Sequence, residues 1–458
     1  MKRILTIAGS DSGGGAGVQA DLKTITLLGG FGMSVLTALT AQNTVGVSAI
    51  HAVPPEFIGQ QLDAVLSDIG ADAVKTGMLF NADAVEIVAD RLSAYGIKKI
   101  VVDPVMVAKG GDVLLVQEAR QTLIARLIPM ALVVTPNIFE AEVLSERPIA
   151  TRDDIHEAAR IIHGMGARYV LIKGGHLDGP AMDCLYDGEN LLEFSKERID
   201  TPHTHGTGCV YSAAIATYLA MEPGIKKAIE RAKGFIHTSI RFSLPIGKGR
   251  GPVNPFARFA REQEKYRVLE GLKASLARLE AARAGDLVPE VQSNLGYALP
   301  FAETHQDVAA FPGRLVRLGK RIVPVSGPAF GASRHIATII LTTMRHAPEF
   351  RSAMNIRFTE EIVRECKALG WKVCSFDRAD EPKAIKELEG SSLEWGTERV
   401  LSKETGIPDI IFDRGDVGKE PMIRVLGRNP DEVVDKVLNL MVTSLRVRGT
   451  AHRRPPMP

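Results

Sequence analysis

The sequence predicts two α/β domains in one chain, the second smaller than the first. Short apolar runs that suit buried strands alternate with longer stretches that suit helices, which is the pattern of repeated βαβ units. The alternation fills the first 258 residues, stops at one long amphipathic stretch, and resumes in a different form. A chain of 458 residues is long enough for separate cores. We therefore expect a domain at 1–258, a helical linker at 259–284 and a second domain at 285–450.

Composition narrows the class of protein. Hydrophobic residues make up 45% and charged residues 24% of the chain, as in soluble globular proteins. The formal net charge of +2 gives no reason to expect a nucleic-acid partner. The apolar start at residues 4–8 is too short for a signal peptide or a membrane span. We therefore expect a cytoplasmic protein that acts on small molecules, has no membrane partner and forms a homo-oligomer.

The cysteines indicate neither a disulfide framework nor a zinc ribbon, because no two of them form a CxxC pair. His203, His205 and Cys209 have a spacing that could bind zinc, but no fourth ligand lies nearby in the sequence. We therefore expect no zinc site. The chain contains Cys184, Cys209, Cys366 and Cys374.

In the first domain, short apolar runs end at Gly, Pro or a polar residue, as buried strands do. Gly29-Gly30 ends the first helix, and Pro54-Pro55 opens the second. Repeated βαβ units predict a mostly parallel sheet with helices on both faces. The predicted strands are 4–7, 35–39, 73–75, 100–102, 132–135 and 169–172, and the predicted helices are 18–28, 56–67, 82–95, 117–127, 138–144, 153–163 and 210–220.

Residues suited to ligand binding follow these strands, at the sheet edge where open parallel sheets bind their ligands. Asp103 and Glu140 are oxygen donors of the kind that Mg²⁺ and its waters prefer. The alternative is structural, with Asn137 capping the next helix and Glu140 facing the helix dipole. The residues in question are Gly9, Lys75, Asp103, Asn137 and Lys173, with Glu140 one turn after Asn137.

A glycine-rich turn, Gly206-Thr207-Gly208, comes directly before an apolar helix. The first N–H groups of a helix are unpaired and the helix dipole favours anions, so this turn suits a phosphate group. With Lys173 it would stabilise a phosphoryl group during transfer. Cys209 lies in the first helical turn, where the same field lowers the pKa of a thiol. The alternative is a glycine-rich turn followed by an ordinary buried cysteine.

A second glycine-rich loop runs from residue 9 to 17, between the first strand and the first helix. It lacks the Gly-Lys-Ser/Thr ending of a Walker loop, so it is not one. It also fits the fingerprint of a dinucleotide-binding loop poorly. It predicts a backbone that a small ligand can approach closely. Asp21, just downstream, could then reach a hydroxyl or amine of that ligand.

The second domain begins after an amphipathic helix that carries leucines at three- and four-residue spacing. This helix could be a linker, the first helix of the second domain, or both. The predicted strands that follow are 315–316, 322–325, 354–357, 372–376, 410–413 and 423–426, and the predicted helices are 336–344, 360–369 and one that starts at 431.

Residues 1–258 resemble the hydroxymethylpyrimidine/phosphomethylpyrimidine kinases of thiamine biosynthesis, which have a ribokinase-like αβα fold. The resemblance is carried by AGSDSGGGAGVQADLKT (8–24), TALTAQNT (37–44), KTGML (75–79), VVDPVMVAKGG (101–111), TPNIFEAE (135–142), KGGH (173–176), HGTGC (205–209) and GKGRGPVNPF (247–256). It implies ATP and Mg²⁺ as cofactors.

The resemblance also implies roles for individual residues. Cys209 stands where ribokinase relatives have an aspartate base, so it is either a base or part of an anion-binding turn. Asp21 and Gln42 would contact the pyrimidine, and Met78 and Val105 would line its pocket. Asp103, Asn137 and Glu140 would bind Mg-ATP, with Asp103 and Glu140 as metal ligands. Lys173 would bind the phosphates.

Residues from about 280 to 450 resemble the thiamine-phosphate synthase domain of the ThiN type, through GRLVR (313–317), FGASRH (330–335), RSAMNIR (351–357) and FDRGDVGKEPMIRVLG (412–427). Such a domain would join hydroxymethylpyrimidine diphosphate to hydroxyethylthiazole phosphate and release diphosphate. The resemblance points to Arg314 and His335 as catalytic, His335 being in the first turn of a helix. Cations that could bind the diphosphate are Arg314, Arg334, Arg351, Arg357 and Lys419.

The alternative function is a pyridoxal-type kinase with a C-terminal domain that senses thiamine phosphate. Related sensing modules occur in repressors, which would also carry a helix-turn-helix unit. No such unit is evident before residue 280, and the near-neutral net charge also disfavours a DNA-binding repressor.

Overall fold

A computed structural model describes residues 1–106, 117–175, 179–222, 224–382 and 391–450. The chain divides into two compact units, Met1–Arg258 and Phe259–Pro458. Residues 107–111 and 176, which belong to two of the kinase-like motifs, lie outside the described residues. Among the helices within the described ranges, none is both long and apolar enough to span a membrane.

The first unit is built on a nine-stranded sheet with the spatial order β3-β2-β1-β4-β5-β6-β7-β8-β9. Strands from β2 to β7 in this order run parallel, which confirms the predicted parallel sheet. Antiparallel strands, not predicted from the sequence, extend both edges. The strands are β1 (Arg3–Asp11), β2 (Phe31–Gln42), β3 (Val47–Ala52), β4 (Ala73–Thr76), β5 (Ile100–Val102), β6 (Val133–Val134), β7 (Tyr169–Lys173), β8 (Ala181–Tyr186) and β9 (Leu191–Lys196).

Helices cover both faces of this sheet, as the predicted αβα architecture requires. One buried apolar cluster packs α2 to α6 against one face, and another packs α1, α7 and α8 against the other. After α4 the chain continues as a π turn, Leu123–Leu127, where one continuous helix was predicted. The helices are α1 (Gly17–Leu27), α2 (Pro55–Asp68), α3 (Ala82–Ala94), α4 (Gln117–Thr122), α5 (Ile138–Ser145), α6 (Arg152–Gly164), α7 (Thr207–Met221) and α8 (Ile225–Arg241).

The second unit is also α/β, but its main sheet is mostly antiparallel. The sheet has seven strands in the order β14-β11-β10-β15-β18-β17-β16, and β12 and β13 form a separate ribbon. Among the described strand pairs of this unit, only β16 and β17 run parallel. The strands are β10 (Leu295–Ala298), β11 (Val308–Ala310), β12 (Leu315–Leu318), β13 (Arg321–Pro324), β14 (Ala329–Phe330), β15 (Ser352–Arg357), β16 (Val373–Ser375), β17 (Ile410–Asp413) and β18 (Met422–Gly427).

Helices again lie on both faces of the sheet. Alternate residues of β17 face opposite sides, with Ile410 and Phe412 in one apolar cluster and Ile411 in the other. The first cluster contains α9, α11 and α13, and the second contains α10 and α12. The helices are α9 (Ala257–Ala281), α10 (Arg334–His346), α11 (Glu360–Ala368), α12 (Ser391–Leu401) and α13 (Pro430–Thr450).

Helix α9 carries the amphipathic pattern seen in the sequence. Its apolar stripe, Val268, Leu272, Leu276 and Leu279, is buried in the core of the second unit. Its other side is charged and forms ion pairs between residues three apart. The stretch 259–284 therefore packs as a core helix of the second unit.

Substitution of Leu272 by Ala should destabilise the second unit. Leu272 has no exposed surface, and truncation of a buried leucine to alanine costs about 2–5 kcal/mol. Both tryptophans, Trp371 and Trp395, belong to the second unit, so chemical denaturation followed by tryptophan fluorescence measures this unit. Lys273→Ala, at the next and exposed position, should change the free energy of unfolding by less than about 0.5 kcal/mol. Equal midpoints for the two variants would contradict the packing of α9.

Candidate active sites

The first unit has a cavity of about 170 Å³ at the carboxyl ends of its parallel strands. The ends of β1, β4 and β7, the loops after β5 and β6, and the N-terminus of α7 all contribute to its wall. The structure thus brings together the residues that follow the predicted strands. Those that line the cavity are Gly9, Gln42, Lys75, Met78, Asp103, Val105, Asn137, Glu140, Lys173, Gly206, Thr207, Gly208 and Cys209.

Asp103 and Lys173 form an ion pair in the wall of this cavity. Lys173 Nζ lies 2.9 Å from Asp103 Oδ1, which also accepts a hydrogen bond from Thr135 Oγ1. Ser212 Oγ donates to Asp103 Oδ2 at 3.1 Å. Burial alone would raise the pKa of Asp103, but the nearby Lys173 and Lys75 charges lower it overall. The carboxylate therefore stays ionised and positions the lysine.

Asn137 and Glu140 cap helix α5 as well as lining the cavity. The Asn137 side chain accepts the Glu140 N–H, and Glu140 Oε2 accepts the Asn137 N–H, both at 2.8 Å. This is a capping box, so the structural alternative for these residues is observed. Burial raises the pKa of Glu140 to about 7.

Asp103 and Glu140 are the carboxylates predicted to bind magnesium. The described part of the chain holds no group of three or more His, Cys, Asp or Glu side chains that could bind a metal ion. Mg²⁺ does not require such a group of protein ligands, because it is commonly held by one or two carboxylates together with waters and substrate phosphates. Two buried carboxylates beside Lys173 fit that arrangement.

The N-terminus of α7 forms the other side of the cavity. Gly206 adopts a left-handed conformation with φ of 77° and precedes the first helical residue, Thr207. The first helical N–H groups have no partner within the helix and can bind an anion. A side chain at Gly206 would clash with the carbonyl oxygen of Gly15, and one at Gly15 would clash with His205. The two glycine-rich loops therefore pack directly against each other.

The expected lowering of the Cys209 pKa is wrong. Burial raises the pKa of Cys209 to about 11, although the positive charge of Lys75 opposes this shift. The carboxylates of Asp21 and Asp103 raise the pKa of the thiol further. With this pKa, Cys209 is a neutral thiol at pH 7.

Asp21 does not line the cavity, contrary to the predicted contact with the substrate. It is completely buried, and Asp21 Oδ2 lies 2.8 Å from Lys75 Nζ and accepts a hydrogen bond from Thr6. Burial alone would lower the pKa of Lys75, but the attraction of Asp21 raises it overall. Lys75 lines the cavity, as its position at a predicted strand end indicated, although the sequence assigned it no specific role. Asp21 therefore holds a lysine that lines the cavity.

Asp11 organises the first glycine-rich loop and was missed by the sequence analysis. Its carboxylate accepts the N–H groups of Gly13, Gly15 and Ala16, at 2.8 to 3.0 Å. His205 Nε2 lies 2.9 Å from Asp11 Oδ2. An aspartate two residues before a glycine is a common turn signal, and it could have identified this role.

The second unit has its own cavity, of about 530 Å³. Three of the residues predicted for the synthase site line it: Arg314, His335 and Lys419. Gly313 and Arg314 both have positive φ, of 72° and 70°, and such strain in a residue other than glycine is often found at functional sites. His335 lies in the first turn of α10, and Lys419 Nζ is 3.1 Å from Ser392 Oγ.

The other predicted cations, Arg334, Arg351 and Arg357, are not among the residues that line this cavity. Arg351 donates to the carbonyl oxygen of Ala298 and stacks over the ring of Tyr297. Arg351 Nη2 is buried without a hydrogen-bond partner among the described residues, so the assignment of this arginine to the diphosphate stays a prediction. Two arginines that were not predicted, Arg378 and Arg424, line the cavity instead.

Comparison with known families identifies both regions. Residues 11–254 match the model of the phosphomethylpyrimidine kinase family. The chain belongs to this family. Residues 271–439 match the model of thiamine-phosphate synthase ThiN. The predicted combination in one chain of a phosphomethylpyrimidine-kinase region and a region that resembles thiamine-phosphate synthase ThiN is thereby confirmed.

Related proteins align with the kinase region. A thiamine biosynthesis bifunctional protein ThiED of Geobacter sulfurreducens is 56% identical over 252 residues, which are 55% of this chain and 51% of that protein. The chain thus spans about half the length of that relative. A hydroxymethylpyrimidine/phosphomethylpyrimidine kinase of Bacillus subtilis is 49% identical over 257 residues, 56% of this chain and 95% of the relative.

Solved structures confirm the ribokinase-like fold. A Bacillus subtilis pyridoxal kinase in complex with ADP is 43% identical with a TM-score of 0.54, covering 57% of this chain and 99% of that one. A Staphylococcus aureus pyridoxal kinase in complex with AMP-PCP and pyridoxal is 37% identical with a TM-score of 0.53, covering 56% and 94%. Both relatives bind adenine nucleotides, as expected of ATP-dependent kinases.

Proposed function

We propose that the chain phosphorylates 4-amino-5-hydroxymethyl-2-methylpyrimidine twice with ATP and then couples the diphosphate to hydroxyethylthiazole phosphate. The products of the second reaction are thiamine phosphate and diphosphate. The observation that carries this proposal is that each unit has its own cavity lined by cationic side chains and matches one of the two enzyme families. We assign the kinase to 1–258 and the synthase to 285–450, with the helical segment 259–284 before it.

The kinase cavity suits phosphoryl transfer because its polar groups are fixed before the ligand arrives. Lys173, held by Asp103, would neutralise charge on the transferred phosphoryl group, and the N–H groups of residues 207–209 would bind its oxygens. Gln42, Met78 and Val105 would contact the pyrimidine. Asp21 acts only through Lys75, which would face the same ligand.

Asp103 and Glu140 are the residues that would hold Mg²⁺, through waters and phosphate oxygens. The bound ion would supply charge neutralisation on the nucleotide phosphates. The raised pKa of Glu140 reflects a carboxylate whose burial is poorly compensated in the ligand-free protein, and a cation nearby would stabilise its ionised form.

The alternative, a pyridoxal-type kinase with a thiamine-phosphate sensor, is less well supported because the second unit matches a synthase family. The two solved kinases described above are pyridoxal kinases, so the alcohol that is phosphorylated needs a direct test. Purified full-length protein with ATP should have a kcat/KM for hydroxymethylpyrimidine at least ~10-fold above that for pyridoxal, about 1.4 kcal/mol of discrimination. Supplied with the thiazole phosphate, it should also form thiamine phosphate. A higher value for pyridoxal, with no thiamine phosphate, would favour the alternative.

Substitution of Cys209 by Ala should lower the rate of pyrimidine phosphorylation by at least ~10²-fold, the usual size of a lost oxyanion donor or of a general base, a role for which the thiol would first have to lose its proton. The thiol lines the cavity beside Lys75 and the anion-binding turn, so either role would be lost. The measurement is kcat with saturating ATP. Cys184→Ala is the matched control, because Cys184 is a buried thiol of the same unit outside the cavity. Near-normal turnover in the Cys209 variant would reduce that residue to a packing role.

The synthase reaction needs charge neutralised on the departing diphosphate while a thiazole nitrogen attacks the methylene carbon. Arg314 cannot lose its charge and can bind two oxygens at once. His335, in the first turn of α10, would accept or relay a proton, since the helix dipole there disfavours the imidazolium form.

Replacing Arg314 or His335 by Ala should abolish thiamine phosphate formation while kinase activity of the same protein survives. Each variant can be assayed for both reactions, so the kinase serves as an internal control. Arg334→Ala, an exposed neighbour outside the cavity, should keep the synthase rate within about twofold, as surface changes usually do. Synthesis at the parent rate in both site variants would move the chemistry to other cations of the cavity.

Cytoplasmic location and homo-oligomeric assembly remain predictions from the sequence.

A further inference from the structure

Two arginines of the second-unit cavity have no role in the function proposed above. Arg378 begins a short 3₁₀ turn, Arg378–Asp380, after β16, and Arg424 lies in the middle of β18. Both line the cavity, yet their side chains are only 7% and 2% exposed. Arginines this buried require a specific partner, because an unpaired buried charge is costly.

One carboxylate holds both guanidinium groups. Arg378 Nε donates to Asp413 Oδ1 at 2.6 Å, and Arg424 Nη2 donates to Asp413 Oδ2 at 2.7 Å. Asp413 ends β17 and is completely buried, and its Oδ1 also accepts the N–H of Gly415. Both guanidinium carbons lie within 6 Å of the ring centre of Phe376, at 5.8 and 5.3 Å. The carboxylate and the ring thus fix two arginines at one place in the cavity wall.

The charges of this group do not balance. Two arginines, which keep their protons at any physiological pH, share a single aspartate. Arg314 and Lys419 add further positive charge to the cavity wall, and Glu420 is the one acidic residue among the described residues that line it. The Glu420 carboxylate already accepts the N–H groups of Glu290 and Val291. The described residues that line the cavity therefore carry more positive than negative charge, and a bound anion would compensate the difference.

We propose that Arg378 and Arg424, held by Asp413, form a second phosphoryl-binding subsite in this cavity, in addition to Arg314 and His335. The inference rests on the proposed synthase reaction, because both of its substrates carry phosphoryl groups and two such anions need separate sets of cations. The ligand is a diphosphate or a phosphate monoester. A cavity of about 530 Å³ falls in the usual size range of small-molecule sites.

The test compares Arg378→Gln and Arg424→Gln with the parent enzyme. Each single change leaves Asp413 paired with the other arginine, so no unpaired carboxylate is created. The thiazole phosphate and the pyrimidine diphosphate are supplied directly and varied in turn. We expect the KM for one of them to rise about tenfold or more, the effect of losing a charged hydrogen bond. Arg317→Gln, an exposed arginine paired with Asp286 outside the cavity, should leave both KM values unchanged.

The two substrates distinguish the two ligand classes. A higher KM for the pyrimidine diphosphate, with weaker inhibition by inorganic diphosphate, assigns the subsite to the diphosphate. A higher KM for the thiazole phosphate alone assigns it to the monoester. Unchanged KM values, or a fall in kcat alone, would overturn the subsite.

Failure of the proposed function gives a different result from failure of the subsite. If the parent protein forms no thiamine phosphate, the synthase proposal fails, and the subsite is then tested by calorimetric titration with inorganic diphosphate. Binding by the parent that is lost in both variants supports the subsite, and binding that survives in them, or is absent from the parent, overturns it. If the variants do not fold, a crystal structure of the parent with diphosphate decides. An anion within hydrogen-bonding distance of Arg378 or Arg424 supports the subsite. An anion that is bound only at other positions overturns it.

Discussion

The buried carboxylate of Asp103 ties together the elements that form the kinase cavity. It follows β5 and is bonded to Thr135 after β6, to Lys173 at the end of β7 and to Ser212 in α7. An ionised carboxylate with so little exposed surface would be costly without these partners. Its bonds therefore fix the strand ends and the start of α7 relative to one another, and the shape of the cavity depends on them.

Both units place a carboxylate behind the cavity wall and a cationic side chain in front of it. Asp21 holds Lys75 in the first unit, and Asp413 holds Arg378 and Arg424 in the second. Neither aspartate lines a cavity itself. Because the cations are fixed in advance, little reorganisation is needed when a ligand binds. Two unrelated sheets thus meet the same electrostatic requirement in the same way.

The sequence predicted the parallel sheet of the first unit and the residues at its edge, because strand ends of a parallel sheet must meet. It did not predict the antiparallel sheet of the second unit, since the spacing of apolar residues does not show whether neighbouring strands run parallel or antiparallel. Asp21 was misassigned because its partner Lys75 is 54 residues away. The predicted lowering of the Cys209 pKa was wrong because local sequence shows the start of a helix but not the burial that raises the pKa. Arg378 and Arg424 were not predicted as site residues because their common partner, Asp413, is 35 and 11 residues away from them in the chain.

The packing of the two glycine-rich loops of the first unit limits how this site can diverge. Gly206 leaves no room for a side chain beside Gly15, and Gly15 leaves none beside His205. A side chain at Gly206 or at Gly15 would require the facing loop to move, so the two loops constrain each other at these positions. Gln42 belongs to the same packed region, because its carbonyl oxygen accepts a hydrogen bond from Ser12 and its side-chain nitrogen lies 3.5 Å from His205 Nε2. A change of side chain at Gln42 would therefore disturb both loops as well as the ligand cavity.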